Sequence, residues 1–214
     1  MDDIIIRLYY GADRDAVRQI ACDTALMGGP GEIFFSDKEV LADFLTLYFT
    51  DYEPGSSFVA QSGSGVIGYL IGSRDSRKMG KIFGGKICGP LCLKMLIRGA
   101  LFNRKNLVFI FHSLKSLIRG EFKCPDFSND YPAVMHINLK AGFRGKGIGS
   151  RLIAAYLKHL KTNKASAVRL ATFSDKAKDF FLKNGFSLLF QQTRSCFRYL
   201  LGRDVRVYIY GRKL

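Results

Sequence analysis

The hydrophobic pattern of the chain changes between the period of a strand and that of a helix, which predicts a mixed α/β structure. Short apolar runs typical of strands lie at 4–10, 57–61, 66–72, 133–139 and 167–173. Apolar residues three and four positions apart predict helices at 13–26, 36–50 and 150–162. The C-terminal part predicts a short helix over 174–186 and then two strands around a GRD turn at 202–204.

Capping and turn residues set the expected ends of several elements. Ser36, with Glu39 three residues later, has the pattern of a capping box and is the predicted N-cap of the second helix. Ser174 is the predicted N-cap of the last helix and Gly185 its C-terminal stop. The SGSG segment at 62–65 separates two apolar runs and predicts a hairpin.

Residues 74–124 interrupt this regular pattern. They contain twelve Lys or Arg against two acids, which is +10 of the chain's net charge of +15. Leu, Ile and Phe are interleaved with the cations, but no window reaches the ~18 uncharged apolar residues of a membrane span. The glycines at 80, 84, 85, 89 and 99 favour two or three short helices over one long helix. We interpret the segment as an insertion, about 74–130 in extent, within a single domain that covers 1–214.

The charge and the cysteines narrow the classes of partner and compartment. A net charge of +15 favours an anionic partner, such as a phosphorylated cofactor, a nucleic acid or an acidic membrane, although it could simply aid solubility. The opening MDDIIIRLYY has acid where a signal peptide has base. Five irregularly spaced cysteines fit buried free thiols in a reducing, cytoplasmic compartment. Their spacing is weak for zinc, even with Cys88, Cys92, His112 and Cys124 taken together, so we expect no metal.

The segment FRGKGIGSRL at 143–152 joins a predicted strand to a predicted helix through three glycines. A helix N-terminus offers unpaired N–H groups and a positive dipole end, and glycines let a ligand approach the backbone closely. Arg144, Lys146 and Arg151 add positive charge. No Lys-Ser or Lys-Thr follows the glycines, as a Walker A loop requires, and the order GxGxG late in the chain does not fit a Rossmann loop. The segment therefore predicts a different kind of phosphate site.

Arg144-Gly145-Lys146-Gly147-Ile148-Gly149 resembles the pyrophosphate loop of the GNAT superfamily, the acyl-CoA-dependent N-acetyltransferases. HINLKAGFRGKGIGSRLI looks like that family's fourth strand, loop and third helix, and VRLATFSDKAKDFFLKNGF resembles its fifth strand and fourth helix. The resemblance covers roughly 4–73 and 131–212 and leaves the insertion unmatched. It implies an α/β (α+β) GNAT fold: a central mixed, mostly antiparallel sheet splayed between strands four and five, helices on both faces, and a basic, helical insertion between strands three and four.

The same resemblance implies an acetyl transfer from acetyl-CoA, the co-substrate, to a primary amine by direct attack in a ternary complex. The backbone of Ile137, Asn138 and Leu139 would pair with the pantetheine arm, and an N–H near Leu139 would stabilise the oxyanion. The pyrophosphate would be held at Arg144, Gly145, Lys146, Gly147, Ile148, Gly149 and Ser150. Further coenzyme contacts would come from Ser174, Lys176 and Phe181.

The amine must lose a proton before it attacks, because a free alkylamine has a pKa of roughly 10. The catalytic candidates are Asn138, His136 and Glu53, with Asp51 and Glu32 as further carboxylates. His136 and Asn138 share one face of the predicted strand, so either both meet the substrate or both pack inside. A solvated turn is the alternative for Asp51 and Glu53.

Two positions depart from the family pattern. Ser174 stands where the family often has Asn, and its hydroxyl can replace part of that contact with the coenzyme. Phe181 stands where the family often has a Tyr that protonates the leaving thiolate. Either Tyr208 or Tyr210 replaces that acid, or the thiolate leaves unaided. The alternative function is therefore a catalytically weak acyl-CoA-binding or regulatory module, associated with a membrane surface through the basic insertion.

The insertion has four competing interpretations. It could be a lid that shapes the acceptor pocket, a peripheral contact with anionic lipid, a homodimer contact, or a nucleic-acid surface. Nucleic acid would depend on charge alone, since no aromatic platform or recognisable reading module is present. The acceptor itself, a small-molecule or a protein amine, is left open.

Overall fold

A seven-stranded sheet forms the centre of the molecule. The coordinates are a computed structural model that describes residues 3–63 and 65–214. The strands are β1 (Ile5–Leu8), β2 (Phe58–Ser62), β3 (Gly65–Ser73), β4 (Ala133–Leu139), β5 (Ala167–Thr172), β6 (Ser187–Arg194) and β7 (Val205–Lys213). Their order in the sheet is β1-β2-β3-β4-β5-β7-β6. Neighbours are antiparallel except for β4 and β5, so the predicted mixed, mostly antiparallel sheet is confirmed.

β4 and β5 diverge after two residue pairs. Ala133 lies opposite Val168 and Val134 opposite Arg169, whereas β3 accompanies β4 as far as Leu139. The edge of β4 that faces β5 therefore lies outside the ladder over 135–139. An edge of this kind presents backbone N–H and C=O groups to an extended ligand. The predicted splay between strands four and five is confirmed.

The first face of the sheet is covered by α6 (Ile148–Thr162) and α7 (Lys178–Lys183). Apolar residues at helical spacing bury one side of α6, and Leu152, Ile153 and Leu160 are completely inaccessible to solvent. The odd-numbered residues of β4 pack into the same cluster. This helix is therefore fixed against the strand that borders the gap.

The second face carries α1 (Arg14–Asp23) and α2 (Lys38–Leu47), which continues into a π-helical turn over Tyr48–Tyr52. The N-cap of α2 is Asp37, whose carboxylate accepts from the backbone N–H groups of Glu39 (3.0 Å) and Val40 (3.1 Å). The prediction that Ser36 caps this helix is wrong, because the Ser36 hydroxyl donates instead to Asn106 Oδ1. Asp37 is the stronger cap, since its carboxylate also benefits from the helix dipole.

The insertion contains α3 (Ser76–Ile82), α4 (Cys88–Ile97) and α5 (Arg104–Ile118), and a π-helical segment (Phe83–Ile87) joins α3 to α4 without a break. The prediction of a helical insertion between strands three and four is confirmed, but the glycines at 80, 84, 85 and 89 do not break the helical run over 76–97, which is longer than the short helices expected. The insertion lies on the second face, where Leu91 of α4 is buried in a cluster with α1 and α2 residues. Lys94 Nζ donates to Asp43 Oδ2 at 2.5 Å, and Phe109 of α5 packs against Phe34 with ring centroids 4.9 Å apart.

The C-terminal region follows the predicted order, with one additional element. β6 and β7 lie on either side of the GRD turn, and a short α8 (Arg198–Leu201) precedes that turn. Gly185 ends the α7 segment with φ of +76°, as predicted. Ser174 is the N-cap residue of the 3-10 turn over Asp175–Ala177 that leads into α7, as predicted, although its side chain makes no capping hydrogen bond. Ser64 of the predicted hairpin turn and Met1 and Asp2 of the opening segment lie outside the described residues.

Candidate active site

The turn between β4 and α6 places a row of backbone amides at one end of the β4–β5 gap. Gly145 and Gly147 both have φ of +76°, which favours glycine, and Gly147 is the N-cap of α6. The first N–H groups of a helix have no intrahelical partner and lie at the positive end of its dipole. A Cβ at Gly149 would lie 2.9 Å from Phe180 Cζ, so this position must also stay small. The turn has the geometry of a phosphate site.

Arginine side chains hold the backbone around this turn. Arg144 Nε donates to Leu139 O at 3.1 Å, and a terminal nitrogen donates to Gly28 O at 3.0 Å. Arg151 donates to Ile4 O at 2.7 Å. Arg144 therefore links the C-terminal end of β4 to the α1–α2 connection, and both guanidinium groups position the loop in addition to supplying charge.

A cavity of about 400 Å³ continues from the turn along α6. Ser150 lines its beginning, and three cations border it further along: Lys158, Lys161 and Arg212. Lys146 is exposed on the turn itself. This positive border favours a ligand that carries several phosphates.

A second cavity of about 290 Å³ lies on the opposite face, above the point where β4 and β5 separate. Phe44 and Phe49 form an apolar wall, and Met79 of α3 forms another. His136 and Arg169 are the polar side chains that contribute to the lining, which includes no carboxylate among the described residues. The insertion therefore shapes this cavity through Met79, as expected of the lid interpretation.

The structure brings Asn138 and His136 together on the second face of the sheet, where His136 lines the second cavity. Asn138 Nδ2 donates to Tyr69 Oη at 2.8 Å and lies 3.0 Å from His136 Nε2. Tyr69 is completely buried and lies directly opposite Asn138 in the β3–β4 register. Both amide N–H groups are thus committed, and the Asn138 amide oxygen Oδ1 is the atom left to accept a hydrogen bond from a substrate.

Burial lowers the pKa of His136 from its ordinary value of 6.5 to about 4. The imidazole is therefore neutral at physiological pH. Its Nε2 accepts from Asn138, so Nδ1 carries the proton. A neutral ring with this pKa is a weak base, and its hydrogen bond with Asn138 makes it a positioning group for the amide.

We expect His136 to make the fold sensitive to mild acid. Its folded pKa of about 4 lies below the unfolded value of 6.5, so the unfolded chain takes up the proton first as the pH falls. The contribution is present above pH 6.5 and is lost as the pH falls towards 4, which amounts to about 2 kcal/mol between roughly pH 7 and 5. His136→Gln should flatten this part of the profile, measured by urea unfolding. The parent protein and the His136→Gln variant have the same carboxylates. If their free energies of unfolding changed equally with pH, the lowered pKa assigned to His136 would be contradicted.

Glu53 is not brought to either cavity. Its carboxylate accepts from Tyr48 Oη (2.8 Å), Ser73 Oγ (2.7 Å) and the Arg74 backbone N–H (2.9 Å). Burial raises its pKa, but these hydrogen bonds outweigh burial and leave the pKa below its usual value. Ser73 ends β3 four residues beyond the partner of Asn138, ~13 Å along the sheet. The contacts of Glu53 indicate a structural role, in contrast to the predicted catalytic one.

The other two carboxylate candidates are exposed. Asp51 lies 3.4 Å from Arg14 Nε, and Glu32 lies 3.5 Å from Lys38 Nζ. Neither lines the second cavity. The solvated-turn alternative describes Asp51 better than a role as general base.

Ser174 and Lys176 follow the C-terminal end of β5, at the open end of the gap. The Ser174 backbone N–H donates to Thr172 Oγ1 at 3.1 Å, and Lys176 is exposed. Their position is compatible with the predicted contacts to the coenzyme, which stay predictions.

Phe181 lies in the core of the first face and is 4% exposed. Its ring centroid is 5.5 Å from that of Tyr210, which is itself buried. Tyr208 Oη donates to Asp175 Oδ1 at 2.6 Å. Phe181 thus offers little surface to a ligand, and each tyrosine proposed as a substitute acid is either buried or already hydrogen-bonded.

The cysteines are in two kinds of environment. Cys22 and Cys196 are buried, whereas Cys88, Cys92 and Cys124 are exposed, so the expectation of buried thiols was right for two and wrong for three. In the described part of the chain, no three His, Cys, Asp or Glu residues are grouped in a way that could hold a metal ion.

Comparison with known proteins supports the same kind of site. Residues 116–186 match the model of the acetyltransferase (GNAT) family. A search of curated proteins finds no match. Among solved structures, SsHAT is 23% identical, with a TM-score of 0.73 over 99% of this chain and 98% of the other. The Drosophila melanogaster polyamine N-acetyltransferase, which forms N-acetylagmatine, is 14% identical, with a TM-score of 0.58 over 99% and 100%. The yncA protein of Salmonella typhimurium, solved with its cofactor acetyl-CoA, is 14% identical, with a TM-score of 0.58 over 99% and 94%.

The chain has the GNAT fold, and the segment with the loop, the fifth strand and the following helix matches the family's own model. The resemblance deduced from the sequence is confirmed over residues 116–186, which match the model of the acetyltransferase (GNAT) family. The match over this segment indicates an acetyltransferase of the GNAT type.

Sequence reasoning missed the residues that shape the second cavity. Phe44, Met79 and Arg169 come from three separate elements, and no local pattern relates them. Tyr69 was also missed as the partner of Asn138, because that contact depends on the β3–β4 register. The second predicted helix did contain one signal for this cavity. Phe44 and Phe49 are large aromatic residues at positions beyond those needed for the buried stripe of that helix.

Proposed function

We propose that the protein acetylates a single primary amine on a small apolar molecule by direct attack in a ternary complex with acetyl-CoA. The observation that carries this proposal is the gap between β4 and β5, which has the amide turn at its end and an apolar cavity on the insertion face. A donor held on the α6 face and an acceptor on the insertion face can react across this gap with no acyl-enzyme intermediate.

The donor side is supported by the turn and the exposed β4 edge. The amides of 144–150 would hold the pyrophosphate, with Lys146 and the cations along α6 near the phosphates. The backbone of 137–139 would pair with the pantetheine arm. A backbone N–H near Leu139 would then donate to the thioester oxygen, where negative charge develops in the transition state.

The lining of the second cavity supports an apolar acceptor. Phe44, Phe49 and Met79 suit an aliphatic or aromatic body. A polyamine or agmatine carries further positive charge, which would need a carboxylate that the described lining lacks. Arg169 disfavours such a substrate further, since it is a cation in the same cavity.

The same surroundings prepare the amine for attack. An apolar cavity and a nearby cation both disfavour the ammonium form, so the amine pKa falls and the neutral nucleophile is more populated. The Asn138 amide oxygen would accept an N–H of the amine and orient its lone pair, while neutral His136 fixes the amide. The thiolate would leave without an acid, which is feasible because a thiol has a pKa of roughly 8.5.

Release of the coenzyme thiol in the presence of an amine panel tests the proposal. We expect 2-phenylethylamine to have a kcat/KM at least about tenfold above those of agmatine, spermidine and an alanine-terminated peptide, since a misplaced charge costs more than 1.4 kcal/mol. Double-reciprocal plots should intersect, as a ternary complex requires. Parallel lines would refute direct attack, and a preference for spermidine would refute the acceptor class.

A further inference from the structure

An exposed apolar stripe runs along α5 of the insertion. Its members are Leu107, Phe111, Leu114, Leu117 and Ile118, which are 47%, 62%, 53%, 56% and 86% exposed. Their spacing of three and four residues places them on one side of the helix. A helix of a globular protein normally turns this side towards the core. An exposed apolar surface of this kind marks a contact with another molecule or with a membrane.

Two polar residues of α5, Asn106 and Ser116, face inward and fix the helix in this orientation. Asn106 and Ser116 are completely buried. Asn106 Oδ1 accepts from the Ser36 backbone N–H at 2.7 Å, and its Nδ2 donates to Ala100 O at 2.9 Å. Ser116 Oγ donates to Glu121. Turning the stripe inward would break these buried hydrogen bonds, which is costly.

The surroundings of the stripe are positively charged. Residues 104–120 include Arg104, Lys105, Lys115 and Arg119 and no acid, and all four cations are exposed. The neighbouring part of the insertion adds further exposed apolar side chains: Leu93, Leu96, Ile97, Phe102 and Phe122. Apolar side chains flanked by Lys and Arg are the composition of a helix that lies in the interface of an anionic bilayer.

We propose that the α5 stripe and its cations dock the protein on membranes rich in anionic lipid, with α5 parallel to the bilayer plane. Its 15 residues span ~22 Å, less than the ~30 Å of a hydrocarbon core. In the described parts of the chain no helix is long and apolar enough to cross a membrane. Docking would therefore be peripheral, and it does not depend on the identity of the acceptor.

The positive charge around the α5 stripe favours an anionic membrane over a second copy of the chain or a nucleic acid. A second copy would bring an identical set of cations against the first, on a chain that already carries +15. Such like charges at contact repel within the ~8 Å Debye length of physiological salt. A nucleic acid would meet aliphatic side chains at the centre of the surface, where stacking or hydrogen-bonding groups are needed. Anionic lipid supplies both the apolar layer and the negative charge.

Co-sedimentation of the full-length protein with vesicles tests this proposal. We expect binding to phosphatidylcholine vesicles that contain about 30% phosphatidylserine, little binding to phosphatidylcholine alone, and a decrease at high salt. The triple change Phe111→Ser, Leu114→Ser and Ile118→Ser should weaken binding at least about tenfold. These side chains are exposed, so the fold should be retained and an unchanged thermal midpoint should verify it.

A matched control changes three exposed apolar residues elsewhere: Ile5→Ser, Leu182→Ser and Leu188→Ser. It should bind vesicles like the parent protein. Lys115→Glu should weaken binding to anionic vesicles without affecting the weak binding to neutral ones. Absence of binding to anionic vesicles, or equal losses in the stripe variant and the control, would overturn the proposal. So would a dimer in sedimentation equilibrium that dissociates in the stripe variant while vesicle binding is absent.

Discussion

Gly147→Asp should abolish measurable binding of acetyl-CoA, with a loss of at least about a hundredfold in Kd. Gly147 caps α6 with φ of +76°, at the centre of the row of amides proposed to hold the pyrophosphate. Aspartate would place a negative side chain among these N–H groups, where it would compete for them and repel the phosphates. Isothermal titration calorimetry with CoA and acetyl-CoA measures the change.

Gly202→Asp is the matched control for this variant. Gly202 also has a positive φ, +67°, and like Gly147 has no neighbouring atom within 4 Å of a Cβ. The two variants therefore share the backbone strain and the charge change, but Gly202 lies at the end of α8, away from the turn. Gly202→Asp should bind acetyl-CoA like the parent protein. Normal binding by folded Gly147→Asp would disprove the assignment of the pyrophosphate site.

Local sequence signals predicted most of the fold. The period of two over 133–139 and the helical spacing over 150–162 each placed an element within two residues of its observed bounds. Helix caps were less predictable. Ser36 and Asp37 are adjacent N-cap residues, and the choice between them depends on Asn106, seventy residues away, which takes the Ser36 hydroxyl. A single sequence contains no signal for such a contact.

The donor side of the site could be predicted from the sequence because its groups are backbone amides of one short segment. The acceptor side could not, because its side chains converge from distant elements. Glu53 illustrates the difference. As a carboxylate ahead of the β2–β3 hairpin it was a reasonable catalytic candidate, but Tyr48, Ser73 and Arg74 use its oxygens at the other end of β3. Only the sheet register separates this position from the cavity.

Asp43→Asn should lower the free energy of unfolding by about 3 kcal/mol and the Tm by roughly 10 °C. Asp43 is buried in α2, where it accepts hydrogen bonds from Arg18 of α1 and Lys94 of the insertion. Burial raises its pKa, but these two cations outweigh burial and hold the pKa below its usual value. The neutral amide would leave the buried Arg18 guanidinium short of negative charge, with Glu39 as its remaining carboxylate.

The exposed ion pair Arg198–Asp204 is the control for the buried contacts of Asp43. Its atoms approach to 2.5 Å, as those of Lys94 and Asp43 do, but its side chains are 57% and 30% exposed. Water and salt screen such a pair, so Asp204→Asn should cost at most about 1 kcal/mol. Urea unfolding of both variants measures the difference. If Asp43→Asn and Asp204→Asn lowered the free energy of unfolding equally, burial would add nothing to the contribution of the Asp43 contacts. Because Asp43 joins α1, α2 and α4, its loss should also increase proteolysis within the insertion, where detachment of α4 exposes Leu91.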